Sequence, residues 1–405
     1  MKKILLVVLL AGIVIPHDGL AQGLWSFGGQ VRHRYEMDNK DFNSDTNFDN
    51  FSLLRSRFNA LYRHSDNVEA FFQLQDSRTF GEETSTLDDG SADNIDFHQV
   101  YVRINNLFDY PVDVKLGRME AIYGNERLLG AVGWHNVARS FDGFIFSIRG
   151  KSFVVDIFNF KEIEARQAGE NLDRNLYGVY GIVNNSDSYS IQPYILYQRQ
   201  QPTRVLNRIT FGTYVDGTSG NFSYKTEIAF QTGDRFDRDV NAYLTSAALR
   251  YTHPQLSYSP VLTGGVDIVS GDSNLLDNNY RIFDTMYATN HKFYGFMDYF
   301  LNIPDNTLGM GLNDLYAGLE LHPLDRLNIA AVGHLMLSNK DYQLLSGSAS
   351  NSFGSEIDIT LRHAYDETVS VVGGLSFFLP GDIFKEVRGD DASTWLYLMT
   401  TVNLR

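Results

Sequence analysis

Apolar and polar side chains alternate with a period of two residues along most of the chain. In the segment 222–231, every second residue from Phe222 onwards is apolar or Thr, and the residues between them are small, polar or charged. The segments 357–363 and 395–404 repeat this alternation. A period of two puts the apolar residues on one face of a β-strand and the polar residues on the other. Helical spacing is not sustained after residue 21, so the sequence predicts an all-β protein.

The connections between these strands alternate between short turns and long polar segments. The short ones are 63–67, 105–111, 149–152, 184–188, 217–221, 252–258, 322–326 and 365–368. The long ones are 37–50, 77–94, 119–140, 161–173, 200–206, 232–239, 271–310, 339–353 and 379–392. This order predicts about 18 strands of roughly 10 residues, an even number with both chain ends on the short-turn side, as in bacterial outer-membrane barrels.

The character of the two strand faces indicates whether water or lipid surrounds the barrel. Lys and Arg avoid the face that carries Phe222, Ile357 and Leu396, whereas the opposite face is polar and charged. A barrel of about 18 strands is too wide for side chains to fill and leaves a lumen. The sequence therefore predicts a transmembrane antiparallel β-barrel with a polar lumen, long extracellular loops and short periplasmic turns.

The N-terminus has the three parts of a secretory signal. Lys2 and Lys3 precede an apolar run from Ile4 to Ile15, and small residues precede a cleavage site near Ala21–Gln22. We therefore expect a cleaved signal peptide at 1–21 and a single barrel domain at 22–405. Together with the barrel, this signal predicts the outer membrane of a Gram-negative cell.

Composition narrows the possible functions. The chain has no Cys, which excludes disulfides and thiolate metal sites. Its net charge of −15 argues against nucleic acid as a partner, because phosphate binding needs clustered Lys and Arg. Aromatic residues make up 13% of the chain, with 23 Tyr and 28 Phe, which favours a membrane barrel over a soluble protein.

Charged residues on the predicted inward face are divided along the chain. The predicted basic pore lining comes from the first third and consists of Arg32, Arg34, Arg55, Arg57, Arg103, Lys115, Arg118 and Arg149. The predicted acidic lining comes from the rest and consists of Glu227, Asp267, Asp314, Glu320, Glu356 and Asp358. The pairs Arg32/Arg34 and Arg55/Arg57 are two residues apart, so each pair shares a face. They form either a patch that attracts anions or a solvated network with the acidic wall.

The segment 123–144 is rich in Gly, Asn, Arg and aromatic residues and lies on the long-loop side. Arg127 and Arg139 could place guanidinium groups at the mouth of the barrel, where they would form bidentate bonds to the carboxylates of a passing anion. Alternatively, Glu126, Arg127, Arg139 and Asp142 could pair with one another and hold the loop rigid. The sequence leaves both interpretations open.

Motifs for catalysis and metal binding are missing. The chain contains no Gly-x-Ser-x-Gly, no His-Glu-x-x-His and no phosphate loop. His135 with Ser140 is the one local Ser/His candidate, and His33, His98 and His363 alternate onto the predicted lipid side. The segment 38–50 is rich in Asp and Asn but lacks the Gly and final Glu of an EF-hand loop. We expect no catalytic residues, no metal and no cofactor.

The central motifs resemble the alginate export family of outer-membrane porins. The resemblance rests on Gly117–Arg118, the YGNERLLG stretch at 123–130, Trp134-His-Asn136 and the RSFDG stretch at 139–143. It extends to QLQDSR at 73–78, VSGD at 269–272, NHKFYGFMDYF at 290–300 and FFLPGDIFKE at 377–386. These matches run in order through nearly the whole mature chain.

This resemblance implies an 18-stranded barrel with a basic constriction that passes alginate, an anionic polysaccharide, outwards. Its partners would be outer-membrane lipid and lipopolysaccharide, the anionic polysaccharide or a small anionic solute, and periplasmic secretion or import components. The acidic residues in the last two thirds of the chain depart from a uniformly basic lining. The alternatives are an uptake porin for small anions or oligosaccharides, and a barrel that anchors a rim enzyme or an adhesin.

Overall fold

A computed structural model describes residues 23–81, 93–163, 166–167, 170–171, 173–186, 188–200 and 206–404. The predicted signal peptide and most of the long segment 77–94 lie outside this part. Eighteen barrel strands are β1 (Leu24–Asn39), β2 (Asp49–Arg63), β3 (Val68–Phe80), β4 (Asp93–Ile104), β5 (Val112–Met119), β6 (Phe141–Arg149), β7 (Phe153–Ile163), β10 (Arg174–Ser186), β11 (Tyr189–Gln200), β12 (Leu206–Ser219), β13 (Phe222–Arg235), β14 (Arg238–Thr252), β15 (Val261–Val269), β17 (Leu312–Leu324), β18 (Leu327–Gln343), β19 (Ala349–Ala364), β20 (Val369–Pro380) and β21 (Ser393–Leu404).

The remaining described elements are short and lie in connections. They are the strands β8 (Arg166–Gln167), β9 (Glu170–Asn171) and β16 (Asn279–Tyr280), the helices α1 (Ile303–Asn306) and α2 (Asp382–Val387), and two 3-10 turns at Leu107–Asp109 and Asn290–Lys292. Within the described ranges, none of the helices has the length and apolar character needed to cross a membrane.

The barrel strands form one closed antiparallel sheet. Each barrel strand pairs with its neighbours in sequence, and β1 closes the sheet by pairing with both β2 and β21. The pairing of β1 with β21 runs from Gly29 opposite Leu404 to Asn39 opposite Thr394. Closure leaves no free strand edge, so every spanning backbone group can be satisfied within the wall. The predicted fold class is confirmed, although the strands vary from 8 to 17 residues.

Two of the predicted long connections are short in the structure. Strand β13 continues to Arg235 and β14 begins at Arg238, so the segment 232–239 is mostly strand. Phe236 and Asp237 both have positive φ, at 50° and 61°, which is the conformation of a two-residue hairpin turn. The segment 339–353 likewise shrinks to the connection 344–348. The prediction that long and short connections alternate strictly was wrong. Extracellular and periplasmic connections still alternate along the chain.

The outward face is apolar, as the alternation predicted. Phe222, Ile228 and Phe230 in β13 are exposed, whereas Glu227 between them is buried inside the barrel. One histidine departs from the predicted face. The pairing of β3 with β4 skips His98 at a β-bulge, and His98 Nε2 lies 2.8 Å from Glu120 Oε1 inside the barrel. A bulge adds one residue and so reverses the face of the side chain, which a period-two pattern cannot show.

The extracellular half of the lumen contains an aromatic core. Phe300 from the connection 270–311 and Phe384 of α2 are fully buried and stack with ring centroids 5.5 Å apart. Phe42 from the first long connection packs against Tyr299 and Phe378. The long connections thus fold into the barrel instead of standing above it. The prediction of a polar lumen holds for the wall residues but missed this apolar filling.

The sidedness of the connections can be tested at two glycines with matched surroundings. Gly347 lies in the connection 344–348 and Gly220 in the turn 220–221, and both have positive φ with open space around the Cβ position. An epitope inserted after Gly347 should be reached by antibody on intact cells, and one after Gly220 only after lysis. Equal labelling of both epitopes on intact cells would show that the assigned sides are wrong.

Candidate anion site in the barrel lumen

Two arginines of adjacent strands face each other on the inner wall. Arg32 of β1 and Arg55 of β2 are directly opposite in the strand register. Both occupy inward positions of the alternating pattern, and each is only 4% exposed. The register therefore brings together the two halves of the predicted basic patch.

Main-chain carbonyl oxygens accept hydrogen bonds from the guanidinium groups of this pair. Arg32 Nη1 donates to the carbonyl oxygen of Gly133 at 2.6 Å, and Arg32 Nη2 donates to that of His135 at 3.3 Å. Arg55 Nη1 donates to the same two carbonyls, both at 3.2 Å. The side-chain oxygen of Asn136 accepts a further bond from Arg32 at 3.4 Å. The segment 133–137, part of the long connection between β5 and β6, thus lies directly on the basic wall.

The neighbouring arginines differ from this pair because they have carboxylate partners. Arg34 pairs with Glu36 at 2.6 Å, and Arg57 pairs with Glu120 at 3.3 Å. In the described part of the chain, no carboxylate forms an ion pair with Arg32 or Arg55. The Nε atoms of both are buried without a hydrogen-bond partner there. The Arg32–Arg55 pair is therefore a buried double positive charge whose hydrogen bonds all go to neutral acceptors.

A second basic group lines the periplasmic half of the lumen. Arg103, Lys115 and Arg149 border a cavity of about 540 Å³ beneath the start of the β5–β6 connection. Arg103 pairs with Glu69 at 3.1 Å and Arg149 with Asp113 at 2.9 Å. The Lys115 ammonium lies 4.0 Å from the centre of the Tyr101 ring. These three residues face the lumen, as predicted.

The structure contradicts the prediction for Arg118. Strand β5 continues from Lys115 without a bulge, so a side chain three residues later points to the opposite face. Arg118 lies on the outward face with Leu116, and pairs there with Asp142 at 2.8 Å and Asp96 at 3.4 Å. It is therefore not part of the pore lining.

The acidic wall holds Arg127 in a buried network. Arg127 Nη1 donates to Asp267 Oδ2 at 2.7 Å and to the hydroxyl of Tyr294 at 3.1 Å, and Arg127 Nε lies 3.8 Å from Glu227 Oε2. Burial alone would lower the pKa of Arg127, but the adjacent charges of Asp267 and Glu227 raise it above its ordinary value. Arg127 thus anchors the β5–β6 connection to the wall opposite Arg32.

The other acidic residues also contact groups that project from the wall or the long connections. The main-chain N–H of Met297 donates to Glu356 at 2.8 Å, and that of Phe296 donates to Asp358 at 3.3 Å. Asp314 lies 2.9 Å from His334 Nδ1. Glu320, nearer the periplasmic end, pairs with Arg250 at 2.8 Å. Each wall is therefore covered by groups of complementary polarity: carbonyls on the basic side, N–H groups and Arg127 on the acidic side.

The alternative in which Glu126, Arg127, Arg139 and Asp142 pair with one another does not occur. Arg139 donates to the carbonyl oxygens of Gly130 and Tyr287, and its burial lowers its pKa to about 10. Glu126 instead pairs with Lys292 at 3.1 Å, and Asp142 pairs with Arg118. The loop is held in place, but by the barrel wall and the connection 270–311. Arg127 is buried and Arg139 is half-buried, and both are held by these contacts.

The family described as "Alginate export" matches residues 24–396. The chain belongs to the alginate export family. No curated protein matches the sequence.

Solved structures with the same fold include outer-membrane proteins of two bacteria. OprD of Pseudomonas aeruginosa is 15% identical, with a TM-score of 0.61 and coverage of 97% of this chain and 98% of that one. OccAB4 of Acinetobacter baumannii is 10% identical, with a TM-score of 0.64 and coverage of 95% and 100%. OccD3 of P. aeruginosa is 13% identical, with a TM-score of 0.59 and coverage of 96% and 95%. At these identities the likeness concerns the fold alone.

This member of the alginate export family is a Gram-negative outer-membrane channel for hydrophilic solutes. Its outward face meets outer-membrane lipid and lipopolysaccharide. In the part of the chain that the structure describes, no three His, Asp or Glu side chains are arranged to hold a metal ion. His135, the candidate partner of Ser140, accepts the N–H of Val137 at Nδ1, and burial with the charges of Arg34 and Arg32 lowers its pKa.

Sequence reasoning missed a third basic group of this alginate export barrel. Arg174, Arg208 and Arg235 border a small cavity of about 120 Å³ in the extracellular half. Arg208 is buried and pairs with Asp284 at 2.8 Å, while its Nε donates to Gln198 at 3.0 Å. The signal was present, because Arg208 and Thr210 hold the inward positions of β12. Extending the face assignment through β10, β12 and β13 would have found all three arginines.

Proposed function

We propose that the channel prefers anionic solutes, with an anionic polysaccharide of the alginate type passing outwards as the solute suggested by the family. The observation that supports this most strongly is the Arg32–Arg55 pair, which is buried and lacks a carboxylate among the described residues. Rings of Arg or Lys close to a narrow path select anions. Arg103, Lys115 and Arg149 would continue this basic path into the periplasmic half.

Uptake of small anions or oligosaccharides is the second candidate, and one observation favours it. The aromatic core and the two inserted connections leave separate cavities of about 540 Å³ and 120 Å³ in the lumen. Spaces of this size fit one or a few sugar units, not an extended polymer. A passive channel conducts in both directions, so the concentration gradient would set the direction of transport.

The remaining parts of the proposal concern processing and partners. We propose that the mature chain begins near Gln22, after removal of 1–21, and forms one barrel domain. Periplasmic secretion or import components would deliver or receive the solute. The proposal includes no catalytic step, no cofactor and no nucleic acid.

Selectivity should appear in single-channel currents recorded across a salt gradient. We expect the wild-type channel to prefer anions although the whole chain carries a charge of −15. Charges farther away than a Debye length of about 8 Å are largely screened at physiological salt, so the nearby arginines dominate. The change Arg55→Gln should shift the reversal potential towards cation preference.

The matched control is Arg118→Gln, which removes the same charge from the outward face and should leave the reversal potential unchanged. A wild-type preference for cations would mean that the acidic wall of Glu227, Asp267, Glu356 and Asp358 dominates. In that case the proposal that the channel prefers anionic solutes would be wrong. To distinguish polymer from small anion, polyuronate chains and monomeric glucuronate can be compared as blockers of the current.

A further inference from the structure

We propose that the carbonyls of Gly133 and His135 occupy the positions of two solute carboxylate oxygens on the Arg32–Arg55 pair, and that an anionic solute enters by displacing the segment 132–138. This inference rests on the proposed function and adds the place and manner of binding. The segment is then a built-in, displaceable occupant of the anion site.

The geometry of the contacts resembles carboxylate recognition. Two oxygens, from Gly133 and His135, are shared between two guanidinium groups at distances from 2.6 to 3.3 Å. A carboxylate supplies two oxygens to Arg in the same bidentate manner, and it brings a negative charge that the carbonyls lack. A solute carboxylate would therefore replace the carbonyl acceptors and also neutralise the buried positive charge.

Both ends of the segment carry backbone strain. Val132 has a φ of 51° and Ala138 a φ of 65°, in the left-handed region. This region is uncommon for residues other than Gly and is a clear outlier for a β-branched residue such as Val. Each such residue costs energy that the surrounding contacts must offset. Strain at both ends favours a second arrangement in which the segment has left the wall and these two residues have relaxed.

The contacts that offset the strain are mostly polar and concentrated on the basic side. The carbonyl oxygen of Trp134 accepts a hydrogen bond from Arg34 at 2.7 Å, and the Trp134 ring stacks on His291 with centroids 4.2 Å apart. The side chain of Asn136 donates to the main-chain carbonyls of Leu54 and Arg78 at 3.3 and 3.0 Å. An anion competes directly for only some of these bonds. The segment should therefore move as a unit between its two strained ends, and not unfold the rest of the connection.

Anion binding and displacement of the segment are then linked, because the anion binds only when the carbonyls have left. A ligand shifts such an equilibrium by the difference in its affinity for the two states. The same linkage predicts that removing Arg55 weakens both the hold on the segment and the response to anions.

A single cysteine can report the position of the segment. The chain has no Cys, and the Cβ position of Gly133 has no atom within 4 Å, so Gly133→Cys should be tolerated. The purified barrel in detergent is labelled at this cysteine with a polarity-sensitive fluorescent maleimide. Its emission is then followed on addition of sodium glucuronate, with glucose and sodium chloride at equal ionic strength as the control. We expect glucuronate to shift the emission as the segment leaves the wall, and we expect this shift to be lost when Arg55→Gln is added.

The same emission with glucuronate and with the control would overturn the displacement. This result would be separate from failure of the proposed function, since the reversal potential tests anion preference without reference to the segment. An anion-selective channel whose Gly133→Cys variant does not respond to glucuronate would retain the proposed function and exclude only the displacement.

A hinge variant tests the strain independently. In the Gly133→Cys background, Val132→Gly removes the steric cost of a positive φ and should keep the segment on the wall. The glucuronate concentration that gives half of the emission shift should then rise by about fivefold to a hundredfold for strain of roughly 1–3 kcal/mol. Ala131→Gly adds the same backbone freedom one residue away, where φ is not positive, and is the control. If Val132→Gly responds to glucuronate as strongly as Ala131→Gly, the strained hinge has no role and the proposal is wrong in that form.

Discussion

Replacing Arg127 with Met is expected to release the β5–β6 connection from the acidic wall. Asp267 is completely buried and Glu227 nearly so, and both would lose their positive partner. Removing one partner of a buried ion pair costs about 3–5 kcal/mol, because the other charge stays buried without compensation. The connection should therefore leave the wall while the barrel strands stay paired. Faster amide hydrogen exchange in 121–131 and a larger single-channel conductance would show this.

The control for this variant removes the stranded charges as well. In the triple variant Arg127→Met, Asp267→Asn, Glu227→Gln, neutral side chains replace the whole network, so most of the lost protection should return. If Arg127→Met alone exchanges and conducts like the wild type, the buried network does not hold the connection in the lumen. If the triple variant is as unprotected as the single one, the loss came from the shape of the arginine and not from unpaired charge.

The second large effect is expected for Phe384→Ala in the centre of the aromatic core. Phe384 is fully buried and has ring contacts with Phe42, Tyr299, Phe300 and Phe378. Truncating a buried Phe to Ala costs about 3–5 kcal/mol through lost contacts and the cavity left behind. The cost falls on the inserted connections, since the hydrogen-bonded wall does not depend on this side chain.

Two circular-dichroism signals can separate these parts. The near-ultraviolet signal reports on aromatic packing, and two of the three Trp residues, Trp134 and Trp395, lie in the lumen 5.7 Å apart. We expect Phe384→Ala to lower the thermal midpoint of this signal and to leave the far-ultraviolet strand signal in place. Phe230→Ala, at a site 47% exposed on the outward face, should change neither. Equal midpoints in both variants would contradict a separately melting core.

The inner wall could be predicted from the sequence because the pleat of a strand fixes the face of every side chain. Arg32, Arg55 and Glu227 face inwards for this reason, and the same rule placed Phe222 and Ile357 outwards. The rule failed where a bulge interrupted the alternation of faces or where the alternation was not followed along the strand. His98 lies at a bulge, and Arg118, predicted to face inwards, is three positions after the inward-facing Lys115 and so lies on the opposite face.

The contents of the lumen could not be predicted in this way. Phe300 and Phe384 are in connections without any period, and their partners are far away in the sequence. The carbonyl groups that contact Arg32 and Arg55 carry no residue-specific signal, because every residue has one. The polar segment 232–239 was mistaken for a loop because its Asp and Arg residues suggest solvent, yet paired strands can continue into solvent.

The aromatic core also affects the unfolded chain while it is transported through the periplasm to the outer membrane. In β20 and β21, Phe377 and Leu398 face lipid while Phe378 and Trp395 face the core, so these two strands are apolar on both sides. Before insertion, such segments expose unpaired strand edges and apolar surface, and both promote aggregation. A porin with a water-filled interior would have only one such side. We therefore expect the C-terminal strands of this chain to depend more on periplasmic chaperones than those of a porin with a water-filled interior.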